Sequence, residues 1–112
     1  MEPTPDNVIT ELQRIQRDLD KAPEALSNAE VKLAEAEAHL DKTEALAMLR
    51  SEAGTIAEKQ AIARLEAADA RLSRDLARAE LNRVKTKIKT LESASVATAV
   101  IAKQVELMWR NG

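Results

Sequence analysis

The side chains with the clearest chemistry in this sequence are cationic. Arg71, Arg74, Arg78, Lys85 and Lys89 follow one another at spacings of 3, 4, 7 and 4, which on an α-helix forms one stripe about 27 Å long. Leu65, Leu72, Leu76, Val84, Ile88 and Leu91 fall on the other side, so the segment is predicted to be an amphipathic helix with a basic outer face. A ladder of cations can track a nucleic-acid backbone, each neutralised phosphate releasing counterions and making affinity fall with salt. The same ladder can instead solvate a helix face or pair with carboxylates elsewhere in the chain. Trp109 is the only aromatic residue, so single-strand binding here would rest on charge more than on base stacking.

Other chemistries find little support. His39 is the only histidine; its neighbours in "AEAEAHLDKTE" are carboxylates suited to solvent, and it reads as an exposed helix residue. Glu35 and His39 share a helical face, but the next turn offers Lys42 and Thr43, and two ligands do not make a metal site. The chain has no cysteine, hence no disulfide or thiolate site, which fits a reducing cytoplasm. A glycine-rich phosphate loop and a nucleophile grouping are both missing. No enzyme function, cofactor or metal is expected. No apolar run approaches the roughly 20 residues needed to cross a bilayer, and "MEPTPDNVIT" lacks the layout of a signal peptide. A soluble, cytoplasmic protein is expected, in a bacterial host if phage-encoded, with no membrane partner.

The elements that must carry these residues are helical. Val8, Leu12, Ile15, Leu19, Ala22, Leu26, Ala29, Leu33, Ala36 and Leu40 alternate spacings of four and three, the seam of a coiled coil. The register is then predicted to slip, Leu46, Leu49, Ala53 and Ile56 continuing the face only if a step of three is repeated after Thr43. Thr4 reads as an N-cap with Pro5 at the first helical position and Asp6 against the dipole. Pro23 either starts a second helix or bends a continuous one. The unbroken phase of the seam favours a bend or a tight restart, giving an N-terminal helix over 5–22 and a first arm over 23–52. Gly54 suits a left-handed helix stop, with Arg50 in the last turn before it, and Thr55 with Glu58 reads as a capping box opening the next helix. A short-turn hairpin is the economical reading; a kinked continuous helix with Gly54 tolerated is the alternative. The second arm runs over 55–110, with a break expected near 93–95 in "SASVATAV", a run that suits close helix packing.

Composition points toward assembly. Apolar residues make up 45% of the 112, yet 21 of them are alanine and none is Phe or Tyr. At about 25 cal/mol per Å² such a core stays thin. Residues 1–58 carry a net −7 and residues 59–112 a net +5, so the halves can pair with each other, within one chain or between subunits. The expected architecture is all-α: a long helical hairpin or coiled coil forming one domain, assembled as a homo-oligomer. Leu12, Ile15, Leu19, Leu26, Leu33, Leu40, Ile88, Leu91, Val105 and Trp109 are the residues expected at the contacts, Trp109 either packing at a helix end or anchoring a partner.

The stretch "LRSEAGTIAEKQAIARLEAADARL", the basic helix "LARAELNRVKTKIKTLE" and the end "SASVATAVIAKQVELMWR" resemble, in layout, the UvsY-type recombination mediators of bacteriophages over roughly residues 30–110. The resemblance implies a homo-oligomeric ring that binds single-stranded DNA, works with a single-strand binding protein and helps load a RecA-like recombinase. That family places basic contacts on the helix leading into the break; here this helix has only Lys42 and Arg50 and no aromatic residue. The departure moves the expected DNA contacts to Arg64 and the stripe from Arg71 to Lys89, with Arg50 as the remaining contribution before the turn. Beside this stands a second expectation: a structural or protein-interaction coiled coil whose basic half pairs with its acidic half and which has no nucleic-acid role.

Overall fold

A computed structural model describes residues 4–52 and 54–111. The fold is an all-α helical hairpin of three helices, α1 (Pro5–Arg50), α2 (Ile56–Glu66) and α3 (Ala68–Asn111). Two compact units share these helices: unit 1 comprises Met1–Leu26 with Val84–Gly112, and unit 2 comprises Ser27–Arg83.

Helix α1 starts where its residue types demand. The Thr4 hydroxyl accepts from the Asn7 N–H at 3.2 Å, satisfying one orphan donor of the first turn, and the Thr4 carbonyl accepts the first intrahelical bond from Val8 N–H at 3.0 Å. The helix then runs without interruption through Pro23, in place of the boundary between 22 and 23 allowed by the sequence. The proline is exposed, so its ring meets solvent. The cost is the hydrogen bond that the Leu19 carbonyl would otherwise accept four residues back. The division between the units falls three residues later, after Leu26.

The turn after α1 is built differently from the expected glycine stop. No described residue, Gly54 included, has a positive φ, and a methyl group at Gly54 would meet open space. The helix end is closed instead by Ser51 N–H donating to the Met48 carbonyl at 3.4 Å and by Arg50 Nε donating to the Leu46 carbonyl at 3.2 Å. At the start of α2 the Thr55 half of the expected capping box is present: Thr55 is extended at φ −113° and its hydroxyl accepts from Glu58 N–H at 3.1 Å. Ala53 lies outside the described residues. The break in the second arm falls at Ala67, between α2 and α3, whereas 93–95 is continuous helix.

In unit 2 the seam of α1 does not slip. Ala29, Leu33, Ala36, Leu40, Thr43 and Ala47 keep the alternation of three and four and are all buried or half-buried, while Leu46 and Leu49 point outward. Facing them, Ala67, Ala70, Arg74, Ala77 and Leu81 make a second seam, with Leu40, Ala67 and Ala70 forming a buried cluster. Alanine takes the larger share of these inward positions, and Leu33, Leu40 and Leu81 are the large apolar residues among the rest.

In unit 1 the same period continues with larger side chains. Val8, Ile15, Leu91 and Val105 are buried, and Leu12, Leu19, Ala22, Leu26, Val84 and Ile88 are half-buried. The segment "SASVATAV" is helical and largely exposed, only Ala94, Ser95 and Thr98 being half-buried.

Two substitutions check this account by urea or thermal unfolding. Pro23→Ala restores a backbone hydrogen bond without disturbing a buried contact and is expected to stabilise the chain by about 1–3 kcal/mol. Gly54→Ala is expected to stabilise by about 0.4–1 kcal/mol through the unfolded state; a loss of stability would mean that the turn requires the left-handed region after all.

Candidate binding surfaces

The basic stripe divides between the two units and its members meet different environments. In unit 2, Arg71 is half-buried and its Nη2 donates to Glu44 Oε1 of α1 at 3.1 Å and to the Arg64 carbonyl at 3.5 Å. Arg78 lies 3.6 Å from Glu37 of α1. A step of seven forward on α3 is matched by a step of seven back on α1, as antiparallel helices require. Arg74, the seam residue, is half-buried and bonds Asp75 through Nε at 2.8 Å. The outer face here is not basic, as the sequence suggested, but apolar: Leu65, Leu72 and Leu76 are 78, 57 and 62% exposed.

The physical reason is the alanine seam. Once Ala67, Ala70 and Ala77 turn inward, residues one or two positions away from them, including Leu72 and Leu76, must turn out, and Arg71 and Arg78 lie along the edge of the seam. Partly exposed pairs of this kind contribute about 0–1 kcal/mol each, so they fix register more than they add stability.

In unit 1 the sequence reading of the amphipathic helix holds. Val84, Ile88 and Leu91 face inward, while Lys85, Lys87 and Lys89 are exposed and form no ion pair among the described residues. Arg50 is exposed and caps α1 through Nε, and Arg64 is exposed in the last turn of α2. The residues expected at contacts between copies are mostly buried within the single chain: Ile15, Leu40, Leu91 and Val105 are buried, and Leu12, Leu19, Leu26, Leu33 and Ile88 are half-buried. Of that set only Trp109 stays open, 62% exposed, on a shallow groove of about 380 Å³ that it shares with Pro5, Val8 and Val105.

A larger cleft lies inside unit 2. It measures about 830 Å³ and is bounded by Leu40, Asp41, Glu44 and Met48 of α1, by the alanine and glutamine face of α2, and by Arg64, Arg71 and Arg74. Ala57 and Ala61 are too small to fill the space opposite α1. Sequence reasoning misses this cleft because its pattern scores apolar size, whereas the cleft arises from side chains that are too short.

Two carboxylates sit below their ordinary range: Glu11 beside Arg14, and Glu80 beside Arg83, each because the guanidinium hydrogen-bonds the charged form. Both lie on the surface and neither faces a nucleophile. His39 is exposed, its carbonyl accepting from the Thr43 hydroxyl at 2.7 Å. Among the described residues no group of three His, Cys, Asp or Glu side chains could hold a metal ion, and no helix is long and apolar enough to cross a membrane. The chain matches no protein-family model, no curated protein and no solved structure.

Proposed function

We propose that the chain is a non-enzymatic interaction protein that assembles with copies of itself along the outward row Ile62, Leu65, Leu72 and Leu76. The observation that supports this reading is the exposure of Ile62 and Leu65, three apart on α2, and of Leu72 and Leu76, four apart on α3, on either side of the break at Ala67. Each leucine covered contributes about 1.5–3 kcal/mol, so a helix laid along the row is strongly favoured over water. Two arginines of the stripe in unit 2, Arg71 and Arg78, are already held by Glu44 and Glu37. Light scattering is expected to give a wild-type mass of at least a dimer. The triple variant Leu65→Ser, Leu72→Ser, Leu76→Ser should keep its helical circular dichroism and fall to monomer. A monomeric wild type would end this reading.

A second reading, that of a single-stranded DNA-binding mediator helping to load a RecA-like recombinase, draws on Lys85, Lys87 and Lys89, three exposed lysines without a carboxylate partner. It expects oligo(dT) binding whose log affinity falls with log salt by about 0.7 per phosphate contacted. Replacing the three lysines with alanine should flatten that slope by about two. An unchanged slope would remove these lysines as the DNA contact.

A further inference from the structure

We propose that α2 is a hinged arm whose direction is set by Arg71, and that this hinge regulates the self-assembly row. The inference rests on the self-assembly reading above. Between α2 and α3 the helix breaks at Ala67, where φ is −91° and ψ is 9°. Sharp bends follow from proline, from glycine or serine, from a bulge, or from a side chain that enters the carbonyl ladder. Residues 64–71, "RLEAADAR", contain no proline, glycine or serine, and all but Asp69 are strong helix formers. The flanking backbone bonds, Ala67 N–H to the Ala63 carbonyl and Arg71 N–H to the Ala67 carbonyl, both span four residues at 2.9 Å, so the pitch on either side is that of an α-helix. What enters the ladder is a guanidinium: Arg71 Nη2 donates to the Arg64 carbonyl at 3.5 Å and also to Glu44 Oε1 of α1 at 3.1 Å. One side chain thus clips the bend to the neighbouring helix, and Leu40 of α1 packs on Ala67 and Ala70 beside it.

Little else holds α2. Of its 11 residues only Ala63 is buried, and the cleft of about 830 Å³ lies between its alanine face and α1. With Arg71 released, the local sequence favours one continuous helix, in which the N–H groups at the start of α3 find carbonyls at the end of α2. The connection permits it: the six Cα steps from Arg50 to Ile56 reach about 20 Å, and α2 is about 16 Å long. On that helix Ile62, Leu65, Leu72 and Leu76 share a stripe about 80° wide, whereas the break at Ala67 divides them into two pairs. A second copy laid along the row therefore selects the straight form. Assembly and the clip oppose each other: drawing Arg71 away from Glu44 strengthens assembly, and assembly in turn weakens the clip.

The test uses the full chain, which has no cysteine of its own. Spin labels at Glu58→Cys and Asn82→Cys, both exposed positions, are diluted in unlabelled chain and their separation is read by double electron–electron resonance. One continuous helix places the two positions about 36 Å apart, and the wild type is expected well below that. Glu44→Ala should move the separation toward about 36 Å, and the dimer Kd from sedimentation equilibrium should fall by about fivefold, since both protomers lose a clip. Arg71→Ala should act in the same direction and carries the test if Glu44→Ala fails to fold, while Lys42→Ala, exposed on the same helix, should change neither quantity. A wild-type separation already near that of the continuous helix, or an unchanged separation in the folded clip variants, would overturn the hinge. A changed separation with an unchanged or raised Kd would overturn its coupling to assembly. The same shift in separation is expected in the monomeric Leu65→Ser, Leu72→Ser, Leu76→Ser background, so failure of the hinge and failure of the self-assembly reading are told apart.

Discussion

The constraint on which this fold depends is the alanine seam of unit 2. Ala29, Ala36 and Ala47 on α1 face a helix that turns Ala67, Ala70 and Ala77 inward. Small side chains there bury little area each, and Leu40 packed on Ala67 and Ala70 is the one buried cluster among the described residues. The seam also decides what stands beside it. Arg71 and Arg78 are carried to the edge of α1, where Glu44 and Glu37 meet them at matching seven-residue steps. The pairs specify the antiparallel register.

A seam of this kind buries little apolar area, and the consequence appears on the outside of the helices. Leucines that would make a conventional core are left facing water, because the positions they occupy are one or two residues out of phase with the alanines. Large exposed apolar rows of this sort mark interaction surfaces. The two units differ in this respect: unit 1 places Ile15, Leu91 and Val105 inside, and its outward helical face there carries lysines. One heptad period thus builds two kinds of surface, according to whether small or large side chains occupy the inward positions.

How far this was legible in the sequence follows from the same distinction. The seam of α1 from Val8 to Leu40 could be read directly, because leucine, valine and isoleucine mark it. Its continuation through Thr43 and Ala47 could not, since Leu46 and Leu49 are larger and drew the pattern out of phase. In α3 the error was greater: Leu65, Leu72 and Leu76 were assigned inward and the arginines outward, the reverse of what is found in unit 2. Apolar size is a sound guide where a partner leaves space for it, as in unit 1, and fails where the partner presents alanine. Capping was legible at both helix starts, because Thr4 and Thr55 act through local hydrogen bonds that no packing alters. The glycine stop was not, because Arg50 and a tightened last turn close α1 without a left-handed residue.

Charge is better understood by unit than by half. The acidic first half and basic second half invite the expectation of a strongly positive surface, but antiparallel folding mixes them. Unit 1 carries eight acidic and eight basic residues, and unit 2 carries eleven and nine. Neither sum sustains a long-range positive field that would steer a polyanion from a distance. At physiological salt, charges more than about 8 Å apart are screened in any case. Anion recognition by this chain must therefore be local, at positions where cations lack a carboxylate of their own. Lys85 and Lys89, four residues apart on one face of α3, exposed and without an ion pair among the described residues, meet that condition. A flexible backbone of phosphates, which needs charge and no apolar floor, suits such a pair.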